Sequence, residues 1–188
     1  MARHILYIAW TYPGEGTEQY NLCHDWNNSS TAGELKHNYN YEIVSYNDGN
    51  SLANLPWGSD IYVRGHGGSG VHEIDNDVHG TSSLKYDAVA DRLLSHGLNN
   101  TWCGVIKLYN CNSGSCTLGR QSFAAKFAQY MRFTKGYHLV SYVGYFGSID
   151  GAPNFEGAAS HHKHKFSTRF AGTRFETEVK TKWCKVFF

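Results

Sequence analysis

The chain has 188 residues with 17 basic and 16 acidic side chains, a net charge of +1, and so presents no global electrostatic case for nucleic acid. No apolar run approaches the ~20 residues needed to cross a bilayer. Five cysteines form an odd set, and with no secretory leader expected ahead of them this argues against a disulfide framework and for at least one free thiol.

The opening Met1-Ala2-Arg3-His4 with residues 5–10 is too short for a signal peptide and lacks a small-residue cleavage site. The expectation is a chain that is cytoplasmic as synthesised, reaching another cell only through a dedicated secretion system. The length suits a single domain over 1–188 with a full hydrophobic core. Residues 4–10 (HILYIAW) are nearly all apolar and read as a central strand buried on both faces. A turn follows over 11–16, then a short helix over 17–26, then a polar surface loop over 27–40. Residues 41–46 (YEIVSY) form a second strand, closed by the turn signal Asn47-Asp48-Gly49-Asn50.

The strand that begins at 61–63 runs into Arg64-Gly65-His66-Gly67-Gly68, and residues 71–78 alternate enough for a small hairpin or flap. From Leu84 the spacing of Tyr86, Val89, Ala90, Leu93 and Leu94 predicts a helix, capped by Ser82 or Ser83 and ended by Gly97. A strand over 105–109 leads to Asn110-Cys111-Asn112-Ser113-Gly114. A second helix runs from about Gln121 to Arg132 with Phe123, Ala124, Phe127, Ala128 and Met131 on one face, and 139–145 (LVSYVGY) is another buried strand. Beyond it, 147–160 is loop-like, 161–165 is the basic run HHKHK, and 175–188 could pair as a hairpin. The order β-α-β-α-β calls for an α/β fold, a mostly parallel sheet with helices on both faces.

His66 and Cys111 each stand just past a hydrophobic strand, with a helix between the two strands. Parallel neighbours joined by a crossover helix lie about 4.8 Å apart, and reactive groups in open α/β sheets gather at their carboxyl ends. A thiol and an imidazole meeting there form a candidate nucleophile and general base. A free thiol titrates near 8.5, so the imidazole or a positive potential must populate the thiolate. The plainer alternative is a buried cysteine and a turn histidine. Cys116, in the same loop, is the rival nucleophile; Cys103 precedes its strand, and Cys23 and Cys184 lie outside the motifs. A zinc site from the Cys111/Cys116 pair or the histidine run lacks a second ligand pair at fitting spacing, so no metal is expected.

These residues resemble the caspase-like cysteine peptidases of clan CD, in which the catalytic His precedes the Cys, each at a strand end and the His followed by Gly. Arg64-Gly65-His66-Gly67, the helix over 84–94, Asn110-Cys111-Asn112-Ser113 and the helix carrying Phe123, Phe127 and Met131 are similar to the self-cleaving cysteine protease domains of RTX-type bacterial toxins. The likeness covers residues 60 to about 150, by pattern rather than close identity. It implies a caspase-like three-layer sandwich and a cysteine endopeptidase of the effector or toxin kind, acting on a protein or peptide substrate. It also implies an oxyanion hole from the Gly67 and Cys111 N–H groups, and no obligatory third acid.

The resemblance further places the pocket for the side chain before the scissile bond along residues 139–145 and the loop through Ser148 and Asp150. Asp150 would suit a basic side chain there, Tyr145 and Phe146 an apolar one. From Gly151 onward seven basic residues, among them Lys163, Lys165, Arg169 and Arg174, face three acids. In the toxin relatives a basic surface in this region binds inositol hexakisphosphate as an activator; a solvated basic face is the simpler reading. A non-catalytic interaction module and a His-Cys acyl or amide transferase remain as other readings.

Overall fold

The computed structural model describes residues 1–32, 41–147, 164–168, 176–180 and 185–188. The fold is α/β, built on a six-stranded, mostly parallel sheet. Its first strand, β1 (His4–Ile8), is followed by helix α1 (Thr17–Ala32), β2 (Tyr41–Ser45) and β3 (Asp60–Arg64). A short pair, β4 (Glu73–Asp75) and β5 (Ser83–Lys85), precedes helix α2 (Tyr86–Leu94) and β6 (Val105–Tyr109). Helix α3 (Phe123–Phe133) leads to β7 (Ser141–Tyr145), then β8 (His164–Thr168), β9 (Glu176–Lys180) and β10 (Lys185–Phe187).

The large sheet runs β10-β7-β6-β3-β1-β2, with β10 alone antiparallel. β1 sits between β2 and β3, and Ile5, Leu6, Tyr7 and Ile8 are fully buried, as an apolar run without alternation requires. β3 and β6 are parallel neighbours with α2 in the crossover, paired Asp60 with Val105 through Arg64 with Tyr109.

Helices take opposite sides. α1 lays Trp26 edge-on against Tyr41, Tyr62 and Tyr109, which alternate onto one face of the sheet. α3 packs Ala124 against Gly144, from the other alternating set; a Cβ on Gly144 would stand 2.7 Å from the Ala124 Cβ. The apolar stripes of α2 (Val89, Ala90, Leu93) and α3 (Phe123, Ala124, Phe127, Ala128, Met131) are buried as their spacing predicts.

Several boundaries move. α1 extends to Ala32, taking in residues 27–32 expected as loop, because burial of Cys23 and Trp26 anchors the helix. Residues 83–85 form β5, paired with β4, so the hairpin is wider than 71–78 and α2 starts at Tyr86. Lys85 takes the N-cap position without a side-chain cap bond, in place of Ser82 or Ser83, whereas Ser122 caps α3 by accepting from the Ala125 N–H. The expected hairpin over 175–188 does not form: β9 pairs with β8, and β10 closes the edge of the main sheet on β7. Among the described residues no helix is long and apolar enough to cross a membrane.

Candidate active site

β3 and β6 pair as far as Arg64 and Tyr109, so His66 and Cys111 each stand two residues past a paired strand end, at the carboxyl edge of the sheet. The loops that follow close on each other. Gly70 lies directly against Thr117, leaving no room for a Cβ, and a Cβ on Gly67 would stand 2.7 Å from the Cys111 carbonyl oxygen. Glycine at 67 is therefore a close-approach requirement, since its φ is ordinary.

The histidine is held by two distant elements. Its backbone exchanges both hydrogen bonds with Asp75 of β4, at 2.9 Å each. Its Nε2 lies 2.7 Å from Glu18 Oε1, in the first turn of α1, with both side chains about one-third exposed. A carboxylate only accepts, so this contact keeps a proton on Nε2 and leaves Nδ1 as the basic nitrogen. Glu18 Oε2 also accepts from the Val78 N–H at 3.4 Å. Glu18 is the site residue that motif reasoning missed. Its signal is an acid in the first turn of the helix following β1, whose preceding strand ends at the same sheet edge.

The cysteine loop is held by its own sheet. The buried Ser113 hydroxyl donates to the Leu108 carbonyl at 2.6 Å and accepts from the Tyr145 N–H at 3.0 Å. The Asn112 backbone N–H donates to Gly147 O at 2.8 Å, its Oδ1 accepts from the Gly147 N–H at 3.1 Å, and its φ is +54°. Asparagine tolerates that left-handed backbone better than most residues. The Gly114 N–H donates to Tyr145 O, and the Ala124 N–H at the start of α3 donates to Ser113 O. Cys111 is partly exposed, Cys116 and Cys103 are exposed, and Cys23 is buried.

The expected oxyanion donor at Gly67 is free to act. Because the His66 carbonyl accepts from Asp75, the trans peptide directs the Gly67 N–H away from β4. Among the described residues that N–H donates to no protein acceptor. Tyr145, expected on the substrate pocket wall, is 1% exposed and packs edge-on against Tyr109 at 5.1 Å, so its ring belongs to the core. Burial raises its phenol well above the ordinary range. Phe146, 47% exposed, is the aromatic at that edge that reaches solvent. Ser148, Asp150, Lys163, Arg169 and Arg174 lie outside the described residues, and Lys165 falls within β8.

Beside Glu18 a groove of about 470 Å³ opens between the β1–α1 turn and the β4–β5 turn, lined by Glu15, Glu18, Asp77, His79 and Thr81. Arg64, two residues before His66, is 3% exposed and sits over the rings of Trp26 and Tyr109 at 5.1 and 5.2 Å. It hydrogen-bonds the Cys23 thiol, which burial nonetheless pushes up to about 11. Cys23 is thus a poor nucleophile despite its cationic neighbour. Among the described residues no group of three or more His, Cys, Asp or Glu could hold a metal ion.

No family model matches the sequence. No curated protein matches it either.

Proposed function

We propose that the chain is a cysteine endopeptidase on a caspase-like three-layer sandwich, with Cys111 as nucleophile and His66 as base and acid. The observation that supports this reading is the parallel pairing of β3 and β6 up to Arg64 and Tyr109, which leaves His66 and Cys111 each two residues beyond neighbouring strand ends, at the edge where such sheets do chemistry. Glu18 adds to it by leaving Nδ1 of His66 as the basic nitrogen. His66 takes the thiol proton and the Cys111 thiolate attacks the scissile carbonyl carbon. The tetrahedral oxyanion that forms is met by the Gly67 N–H and the Cys111 N–H. Collapse breaks the C–N bond, the proton on His66 goes to the leaving amine, and a thioester remains. Water, deprotonated by His66, then attacks the thioester and restores the thiolate.

The setting implied by the toxin-like motifs is a bacterial effector or toxin, with the basic segment around Lys163, Lys165, Arg169 and Arg174 as the surface for an inositol hexakisphosphate activator. The test is intact-mass labelling with iodoacetamide at graded pH, on wild type, Cys111→Ala and His66→Ala. One thiol that reacts fast at neutral pH, disappears in Cys111→Ala and slows in His66→Ala supports the dyad. Slow labelling indifferent to His66, with and without inositol hexakisphosphate, overturns it and leaves an interaction module. Peptide-library cleavage then separates a peptidase from an acyl or amide transferase.

A further inference from the structure

Asn110, the residue before the candidate nucleophile, carries a side chain whose chemistry is unused. It is 2% exposed, and neither Oδ1 nor Nδ2 has a hydrogen-bond partner. A primary carboxamide offers two donors and an acceptor. Burying all of them unsatisfied costs stability that an apolar side chain of similar volume would not. Asn110 directly follows β6, whose Ile106 and Leu108 are fully buried, and its backbone N–H turns back to the Leu108 carbonyl. A position as buried as this is ordinarily apolar.

The carboxamide lies against the Gly67 backbone. A Cβ at Gly67 would stand 3.3 Å from Asn110 Cβ and 3.5 Å from Oδ1. The peptide that follows presents one acceptor, the Gly67 carbonyl, and one donor, the Gly68 N–H. That pair complements a carboxamide. Glycines at 67 and 68 leave this peptide free of side-chain hindrance to rotation.

Resting on the dyad reading, we propose that Asn110 is a positioning residue: as a substrate carbonyl docks at the Gly67 N–H, the Gly67–Gly68 peptide turns onto the Asn110 carboxamide and locks that donor in place. A hydrogen bond gained when the Gly67 donor is engaged stabilises the bound states, and it favours the reaction over mere binding by as much as it strengthens while the oxyanion develops. The orphaned amide of the free chain is then the reserve from which the complex is tightened.

The test uses a pool of acetyl-tripeptide aldehydes on the full chain. Cys111 thiolate adds to the aldehyde carbon, the C=O π pair moves to oxygen, and a proton from His66 gives a neutral hemithioacetal. Protection of Cys111 from iodoacetamide reads out the binding. In Asn110→Leu the labelling rate without aldehyde stays at the wild-type value, the urea midpoint is equal or higher, and the pool concentration for half-protection rises about tenfold. In wild type, hydrogen exchange of the Asn110 side-chain NH2, followed by NMR, slows about tenfold when the pool is bound. Unchanged protection in the variant, or unchanged exchange in wild type, overturns the proposal. Should Asn110→Leu not fold, the wild-type exchange measurement decides. Absence of any fast thiol at Cys111 in wild type is the separate failure of the dyad, and the Asn110 role falls with it.

Discussion

The two ends of the same parallel strands are built in opposite ways. At the amino end Asp60 accepts from Lys107 Nζ at 2.6 Å and lies 3.5 Å from His4 Nδ1, while Lys107 also donates to the Tyr62 hydroxyl at 2.8 Å. These side chains are mostly buried, 13% exposed at Lys107 and 18% at Asp60, and the charges answer one another. At the carboxyl end, where His66 and Cys111 stand, the Gly67 N–H is unused and the Asn110 carboxamide has no partner. One end pairs its charges with one another; the other leaves the Gly67 N–H and the Asn110 carboxamide unpaired. That asymmetry marks the carboxyl edge as the candidate site without reference to any motif.

Separating the two ends is the largest expected effect. Lys107→Met leaves the Asp60 carboxylate without its closest cation, and removing one member of a buried pair costs about 3 kcal/mol or more. The urea midpoint falls accordingly, while the iodoacetamide rate at Cys111 in the folded variant is unchanged. A drop in that rate would mean the two ends are coupled. Gly67→Ala makes the complementary cut. Its Cβ meets the Cys111 carbonyl oxygen at 2.7 Å, so the loop must shift and misplace the oxyanion donor. Loss of one such donor costs about 100-fold in rate, read as weaker protection by the aldehyde pool at little cost in thiol reactivity.

Within the carboxyl end, the comparison sharpens between histidine and cysteine loops. The cysteine loop is braced by Ser113, Asn112 and Gly114 against β7, its neighbour in the sheet. The histidine depends on Glu18 and Asp75, from elements that join the sheet edge from outside. Glu18→Gln keeps the contact but its amide can turn an N–H toward Nε2, forcing the proton onto Nδ1. The expected result is roughly tenfold slower labelling of Cys111 at neutral pH. An unchanged labelling rate would reduce Glu18 to a structural tie.

How much of this was legible follows from where each restraint comes from. β1, β3, β6 and β7 were readable because strands buried in a parallel sheet are short apolar runs. That His66 and Cys111 stand just past two neighbouring parallel strands followed from those runs, and the β3–β6 pairing up to Arg64 and Tyr109 agrees with it. α1 beyond Trp26 was not readable, because Asn27, Asn28, Ser29, Ser30 and Thr31 are poor helix formers, and the helix is anchored by the buried Cys23 and Trp26 before them. β5 was hidden because Leu84 fits the period of α2, so one buried leucine satisfied two patterns. Glu18 was hidden for a different reason: its contact with His66 spans 48 positions in sequence, and no local spacing encodes it.

The smallest effect concerns a buried histidine away from the edge. His96, after α2, is 1% exposed; its Nδ1 lies 3.0 Å from the Ser51 hydroxyl, and its Nε2 has no hydrogen-bond partner. Tyr7 of β1 meets its ring edge-on at 5.4 Å, and Tyr46 flanks it at 6.2 Å. Burial lowers its pKa below the ordinary value, against smaller raising contributions from the Gly49 and Tyr46 backbone and from Asp48. A folded-state pKa below that of the unfolded chain means the unfolded state binds more protons in acid. The stability it confers is complete above the unfolded value near 6.5 and is lost as pH falls through the folded value. The urea midpoint of wild type should therefore decline from pH 7 to pH 5 more steeply than that of His96→Phe, which keeps the ring contacts with Tyr7 and cannot take up a proton. Equal slopes would place the acid sensitivity in other groups, and a slope of opposite sign would mean that protonated His96 finds a partner in the folded chain.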